Sequence, residues 1–226
     1  MTIKDKIFLT YILILKNLRT LFIKISVKFL FVKKNNVKKI LINRDGAFGD
    51  SVVALPALSV IRQNFPSAKI DLITFSDHGI TFSDFDLEDN LVNKIIVKSK
   101  KNRSKTIKEL KQNKYDLFIQ LPQNLGLYKS IRNMIIVRFF MKIKSGFGWD
   151  CGRIKTFIKT QKKYLAIPTE TIRLLNNLKN EGLNGEISYP IKTIKPTNQI
   201  IRNLLKQKIA VFIIGGKLNI KKWPLE

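Results

Sequence analysis

The chain has 226 residues, of which 45% are hydrophobic, and this is enough for one substantial core and the beginning of a second. Forty-two Lys and Arg against sixteen Asp and Glu give a formal net charge of +26, which predicts an anionic partner: a nucleic acid, an acidic membrane surface or a phosphorylated substrate. One cysteine, Cys151, and one histidine, His78, exclude an internal disulfide and any Cys- or His-rich metal site, and they suit a reducing, cytoplasmic compartment.

The first predicted element is a basic amphipathic helix within residues 1–36. Residues 7–31 are rich in Ile, Leu and Phe, but four basic residues interrupt them, so no uncharged stretch reaches the ~20 residues that a spanning helix needs. At ~100° per residue, the apolar side chains form a face opposite these basic residues. The apolar face comprises Ile7, Tyr11, Ile14, Leu18, Phe22, Ile25 and Phe29, and the basic residues are Lys16, Arg19, Lys24 and Lys28. The face either enters the boundary of an anionic leaflet or packs on the following domain, and the pattern favours neither.

Strands and helices alternate after the leader helix. Strands are predicted at residues 37–43, at 68–74, within 90–98 and at 116–120, with helices at 51–64 and 104–113. This alternation predicts an α/β, Rossmann-like domain whose parallel sheet carries helices on both faces. Such sheets bind ligands at the carboxyl ends of their strands, where the loop at residues 44–50 is expected.

That loop contains two glycines and ends on a carboxylate. Gly46 and Gly49 indicate a sharp turn or a close approach of the backbone to another group. Their spacing is not that of a dinucleotide-binding fingerprint, and the chain has no Gly-Lys-Ser/Thr phosphate loop. Asp50, at the start of a helix on the ligand-binding edge, is either a helix-stabilising carboxylate, worth about 1 kcal/mol, or a catalytic one.

The loop and the helix after it carry a family resemblance. Residues 44–58, Arg-Asp-Gly-Ala-Phe-Gly-Asp-Ser-Val-Val-Ala-Leu-Pro-Ala-Leu, resemble the opening signature of glycosyltransferase family 9, which contains the ADP-heptose:lipopolysaccharide heptosyltransferases and has the two-domain GT-B fold. Residues 121–130, 146–153 and 215–226 are similar to later segments of the family, in the same order. Three positions depart from the usual pattern: Ile214-Gly215-Gly216 stands in place of Pro-Gly-Ala, Lys217 in place of Ser or Thr, and Gln120 in place of Asp.

The resemblance implies an inverting transfer of heptose from ADP-heptose to the inner core of lipopolysaccharide. Asp50 is then the base that accepts the proton of the acceptor hydroxyl. The residues implied in acceptor binding are Arg44, Asp45, Gly49, Lys129 and Arg153, and those implied in binding the donor phosphates are Gly216, Lys217 and Lys221. The expected partners are an anionic glycolipid, the sugar nucleotide and an anionic membrane surface, and neither a metal nor another cofactor is expected.

The same resemblance divides the chain into three parts. Residues 1–36 form the leader helix, and residues 37–195 form the acceptor-binding domain, which ends with a helix at 172–183. Residues 196–226 form a linker with the first strand, at 209–214, and the first loop of a sugar-nucleotide-binding domain. Because most of that second domain is missing, we expect the purified chain alone to transfer no sugar; turnover of ADP-heptose would contradict this expectation.

Two other functions stay open at this point. A non-catalytic, membrane-associated interaction module needs only the leader helix and one Rossmann-like domain. A basic nucleic-acid-binding protein fits the charge, but the sequence has neither an RNA-binding aromatic motif nor a helix-turn-helix pattern, so no nucleic-acid partner is expected. The excess of Lys beside many Ile and Asn also fits genome-wide compositional drift. We expect a cytoplasmic location, with peripheral attachment to the inner face of the cytoplasmic membrane through the leader helix as the alternative to its packing on the domain.

Overall fold

The computed structural model describes residues 3–33, 35–46, 48–75, 87, 91–98, 103–121, 126–149, 157–158, 163–164 and 169–191. The strands are β1 Lys39–Asn43, β2 Lys69–Phe75, β3 Lys94–Lys98, β4 Leu117–Gln120 and β5 Ser145–Phe147, followed by the short pair β6 Phe157–Ile158 and β7 Lys163–Tyr164. The helices are α1 Ile3–Leu30, α2 Phe48–Val52, α3 Leu55–Asn64, α4 Arg103–Gln112, α5 Leu127–Ile135 and α6 Glu170–Asn180, and a π-helical turn, Ile136–Phe140, continues α5.

Strands β1 to β5 form one parallel sheet in the order β3-β2-β1-β4-β5. The chain runs outward from β1 through β2 to β3, and then returns to the other side of β1 to form β4. The order therefore reverses between β1 and β4, where Asn43 pairs with Gln120 at the carboxyl ends of both strands. Ligands of open α/β sheets bind in the crevice at such a reversal. The predicted α/β, Rossmann-like class is confirmed.

Helices cover both faces of the sheet, because the strand side chains alternate between two apolar clusters. Ile40 and Ile42 point to one cluster, which contains residues of α3 and α6, whereas Leu41 points to the other, which contains residues of α1, α4 and α5. All three β1 side chains are at most 1% exposed. A strand that is buried on both faces is hydrophobic along its whole length, and this is why a continuous apolar run predicted β1 correctly.

The structure differs from the prediction in two elements near the site. The single helix expected at residues 51–64 is divided into α2 and α3, because Pro56 has no N–H to donate and its ring excludes the carbonyl four residues earlier from a continuous helix. Pro56 instead lies in the first turn of α3, where proline is well accommodated. The second difference is β5, which extends the sheet beyond β4 and was not predicted as a strand.

The leader helix packs on the domain through the side opposite to its wide apolar face. Ile23, only 2% exposed, is its most buried side chain, and Val27 and Leu30 continue this contact stripe. The predicted apolar face points outward instead: Ile7, Tyr11, Ile14, Leu18, Phe22, Ile25 and Phe29 are between 45% and 87% exposed. Among the described residues, no helix combines the length and the apolar character needed to cross a membrane.

Aromatic stacking fixes the C-terminal end of α1 to the sheet. The rings of Phe31 and Phe118 lie on Trp149, with centroid distances of 4.8 Å and 5.5 Å. Gly146 makes this possible, since a Cβ there would lie only 2.9 Å from the Trp149 ring. One residue later, the Val32 amide donates to the carbonyl of Lys144 at 2.9 Å, so the chain that leaves α1 runs beside the start of β5.

A buried carboxylate in β2 gives a pH-dependent prediction. Asp71 is 3% exposed and accepts a hydrogen bond of 2.6 Å from the Tyr115 hydroxyl. Burial has the largest effect in raising the pKa of the Tyr115 phenol, and the hydrogen bond to Asp71 raises this pKa further. Because an unfolded tyrosine ionises near pH ~10, the stabilising effect of this phenol is complete below that pH and is lost as the pH rises towards the folded pKa.

Tyr115→Phe should therefore reduce the free energy of unfolding by about 1–3 kcal/mol at pH ~8, because it leaves a buried carboxylate without its donor. The difference from wild type should shrink at pH ~11, where the unfolded wild type gains stability by ionising Tyr115. Urea unfolding at both pH values measures this, and Tyr128→Phe is the control because Tyr128 is 76% exposed. An unchanged difference at the two pH values would contradict the prediction.

Candidate active site

The candidate site is the segment that follows β1 at the reversal of strand order. The Arg44 amide donates to the carbonyl of Ile73 at 3.0 Å, and the Leu121 amide donates to the carbonyl of Asn43 at 2.9 Å. These bonds hold the start of the segment between the carboxyl ends of β2 and β4. The chain then turns at Gly46 and enters α2, whose first turn carries Asp50.

Arg44 supports this segment through hydrogen bonds from its buried side chain. Its side chain is 0% exposed and its Nη2 donates to the backbone oxygen of Asp50 at 2.9 Å. Nη1 bonds to the carbonyl of Leu121 and to Oε1 of Glu170, both at 3.3 Å. Burial lowers the pKa of Arg44, and the charge of Glu170 opposes that effect. In this structure the guanidinium fixes the backbone at Asp50, and a direct contact of Arg44 with an acceptor stays a prediction.

Glu170 was missed by the sequence analysis, which began the last helix two residues too late. It lies in the first turn of α6, is 6% exposed, and binds Arg173 at 2.7 Å as well as Arg44. Thr169 caps the helix by accepting a hydrogen bond from the Ile172 amide at 3.4 Å. A Thr followed by a Glu at the start of an amphipathic helix was the available local signal, but the contact with Arg44 spans 126 residues.

Gly46 makes room for the side chain of Asp50. A Cβ placed on Gly46 would overlap the Cβ of Asp50 and lie 3.1 Å from its Cγ and Oδ2. The close approach that the glycine predicted is therefore an approach to the candidate base itself. Asp50 is half-buried, and its position is set by Gly46 on one side and by the bonds from Arg44 to its carbonyl on the other.

Gly46→Ala should destabilise the protein by about 1–3 kcal/mol, as overpacking does elsewhere, because the added methyl displaces Asp50. Gly49→Ala is the matched control in the same segment, since a Cβ at Gly49 meets no atom within 4 Å. Alanine should be neutral there or stabilising by about 0.5–1 kcal/mol, because it replaces a glycine inside a helix. Thermal or urea unfolding of both variants checks this, and equal effects would refute the steric argument.

A polar cluster supports the other side of the segment. Lys98, the last residue of β3, donates to Oδ1 of Asn43 at 2.8 Å and lies 3.0 Å from Oδ1 of Asp45. The Asn43 amide in turn donates to Oε1 of Gln120 at 3.2 Å. Lys98, Asn43 and Gln120 each end a strand, so three strands contribute side chains to this edge of the sheet. From the sequence, Gln120 was named only as a departure from the family pattern, and neither Asn43 nor Lys98 was predicted to lie in the site.

The structure brings part of the predicted site together. Arg44, Asp45, Gly49 and Asp50 lie within one short segment, with Asp45 and Asp50 half-buried and Gly49 exposed. Lys129 is an exposed residue in the first turn of α5, which follows β4 and so begins on the same side of the sheet. The other predicted site residues, Arg153, Gly216, Lys217 and Lys221, lie outside the described residues, as do Cys151, His78 and the strand predicted at 209–214.

A parallel sheet that is covered by helices on both faces defines a Rossmann-like domain, and Asp50 lies at its reversal of strand order. Within the described part of the chain, no group of three or more His, Cys, Asp or Glu is arranged to hold a metal ion. No protein-family model matches the sequence, and no curated protein sequence does.

Solved structures do resemble the chain. A glycosyl transferase family 9 structure from Veillonella parvula DSM 2008 superposes with a TM-score of 0.50 and 16% identity, covering 85% of this chain and 58% of that one. The Escherichia coli ADP-heptose lps heptosyltransferase II covers 50% of this chain and 30% of its own length, with 21% identity and a TM-score of 0.36. The chain thus spans 58% of the length of the first structure. The likeness to the family 9 structure confirms, at the level of the fold, the resemblance given by the sequence motifs.

Proposed function

We propose that this chain is the acceptor-binding half of an inverting glycosyltransferase of the lipopolysaccharide heptosyltransferase type. The observation that carries the proposal is the placement of Asp50 at the reversal of strand order, in a fold similar to that of a family 9 glycosyltransferase. Two features unrelated to helix capping set the position of this residue: Gly46 leaves space for its side chain, and the buried Arg44 bonds to its backbone carbonyl.

Asp50 acts as the general base in this proposal. An acceptor hydroxyl attacks the anomeric carbon of the sugar nucleotide from the side opposite the diphosphate, and its proton passes to the Asp50 carboxylate. General-base catalysis needs the carboxylate within about 3 Å of the attacking oxygen, so a fixed backbone at Asp50 favours it. The bonds from Arg44 to the Asp50 carbonyl supply that rigidity.

The proposed substrates are anionic on both sides of the reaction. Lys129 and Arg153 are the proposed contacts to the carboxylates and phosphates of an inner-core glycolipid, with Asp45 and Gly49 contributing to the same surface. Gly216, Lys217 and Lys221 are the proposed contacts to the phosphates of ADP-heptose, where a fixed cation stabilises the departing diphosphate. The acceptor is a membrane lipid, so we propose a peripheral location on the cytoplasmic face of the membrane.

Acceptor binding can be tested on the chain as it stands. Isothermal titration with the delipidated inner-core oligosaccharide of heptose-free lipopolysaccharide should show binding, which Lys129→Glu weakens by about tenfold or more through charge reversal. The control is Lys179→Glu, because Lys179 is an exposed lysine on α6, on the other face of the sheet. Absence of binding, or an equal effect of both substitutions, would contradict the proposed acceptor site.

A further inference from the structure

Basic side chains are concentrated on one face of the sheet. The sequences of α1, α4, α5 and the π-helical turn contain thirteen Lys and Arg but only two Asp and Glu, whereas those of α3 and α6 contain three Lys and Arg and one Glu. On the second face, Arg62 bonds to the carbonyls of Phe65, Pro66 and Ala68, and Arg173 is paired with Glu170. Among the helices that the structure describes, the Lys and Arg side chains available to a partner therefore lie mainly on the face of α1, α4 and α5.

The same face presents the outward apolar side of α1. Leu18 and Phe22, on neighbouring turns, are 57% and 53% exposed, and no described part of the chain covers them. On the same face, Phe139 and Phe140 of the π-helical turn are 59% and 60% exposed. Large apolar side chains exposed together on one face are typical of a surface that meets a partner.

We propose that the face formed by α1, α4 and α5 docks flat on an anionic phospholipid bilayer, with the apolar side of α1 in the acyl boundary and the α3–α6 face directed away from the membrane. The inference rests on the peripheral location within the proposed function, but not on sugar transfer. Ile23 keeps α1 attached to the domain while the opposite side of the helix enters the lipid. Docking therefore does not require α1 to separate from the domain.

The combination of apolar and basic groups distinguishes a bilayer from a nucleic acid. A polyanion such as DNA would engage the lysines of α4, but it offers nothing to the exposed Leu, Ile and Phe side chains of α1. An interfacial helix uses both kinds of group at once, since apolar residues enter the acyl boundary while Lys and Arg meet anionic headgroups.

Co-flotation of the full chain with vesicles tests the docking surface. Binding to vesicles of 70% phosphatidylcholine and 30% phosphatidylglycerol should exceed binding to pure phosphatidylcholine by about tenfold or more. The double substitution Leu18→Ser/Phe22→Ser should weaken binding to the vesicles that contain phosphatidylglycerol by about tenfold or more, because it removes apolar area from the docking surface. Ile187→Ser/Tyr189→Ser is the matched control, because these side chains are 60% and 55% exposed in the segment after α6.

Orientation is tested with single labels in a Cys151→Ser background. A fluorophore on Phe139→Cys, in the π-helical turn, should be quenched by headgroup-labelled phosphatidylglycerol, whereas one on Ile172→Cys, in α6, should not. Equal quenching of the two labels would overturn the proposed orientation.

Three other results would overturn the docking surface itself: equal loss of vesicle binding in both double variants, a dimer through Leu18 and Phe22 without vesicle binding, or stronger binding to duplex DNA that the double variant retains. If the wild-type chain binds the oligosaccharide but not the vesicles, only the docking surface is contradicted. If it binds the vesicles but not the oligosaccharide, only the proposed function is contradicted.

Discussion

Asp50→Asn is expected to lower the rate of heptosyl transfer by about 10²–10⁴-fold, the usual contribution of a general base, while sugar-nucleotide affinity changes by less than about twofold. Asparagine keeps the size of the side chain, so the contact with Gly46 is preserved, but it cannot accept the proton of the attacking hydroxyl. The loss should therefore fall on kcat, because the interaction is made only as the hydroxyl loses its proton.

The assay joins this chain to the donor-binding half of a family 9 enzyme, and measures transfer from ADP-heptose to heptose-free lipopolysaccharide. Glu109→Gln is the control, since Glu109 is an exposed carboxylate on α4 and its removal should leave turnover unchanged. Turnover of the Asp50→Asn enzyme within about threefold of wild type would rule out Asp50 as the base, because general-base catalysis contributes far more than that.

Glu170→Gln should destabilise the protein by about 3–5 kcal/mol, the range for removing one partner of a buried ion pair. The substitution leaves the guanidinium of Arg44, which is 0% exposed, without its paired carboxylate. Since Arg44 also fixes the Asp50 carbonyl, the same variant should loosen the segment that holds the candidate base. Urea unfolding measures the loss of stability, and faster amide exchange at residues 44–50 would report the loosening.

Two further variants separate the ion pair from a general effect of charge. Glu186→Gln removes an exposed carboxylate and should change stability by less than about 0.5 kcal/mol. Arg44→Met/Glu170→Met should cost less than the sum of the two single substitutions, because the second removes the charge that the first leaves unpaired. Additive costs in this cycle, or a Glu170→Gln variant as stable as wild type, would show that the pair is not coupled.

Local patterns predicted the sheet well. Ile40, Leu41 and Ile42 are buried on both faces of β1, so their position in the fold is encoded within three consecutive residues. The loop after β1 was predicted for the same reason, since a glycine-containing turn follows an apolar run. By contrast, β5 has only three residues, one of them glycine, and is too short to give a period of its own.

The supports of the candidate site depend on contacts that no local pattern contains. Glu170 is 126 residues from Arg44, and Lys98 is 53 residues from Asp45. The sequence around a charged residue does not identify the partner that this residue contacts in the folded protein. The orientation of α1 could not be predicted for a different reason. Apolar residues lie on both sides of the helix, and only the packing in the structure shows that Ile23 faces the domain.

The contact between Val32 and Lys144 has a consequence for aggregation. Among the described strands, β5 is an outer strand of the sheet, and the backbone groups of such an edge are a template on which a strand of another molecule can add. The chain leaving α1 runs alongside the start of this strand, and the stack of Phe31 on Trp149 holds it there. The segment that leaves the leader helix thus also protects the start of this sheet edge, and a chain lacking residues 1–32 should expose β5 to pairing with another strand and leave Trp149 stacked on Phe118 alone.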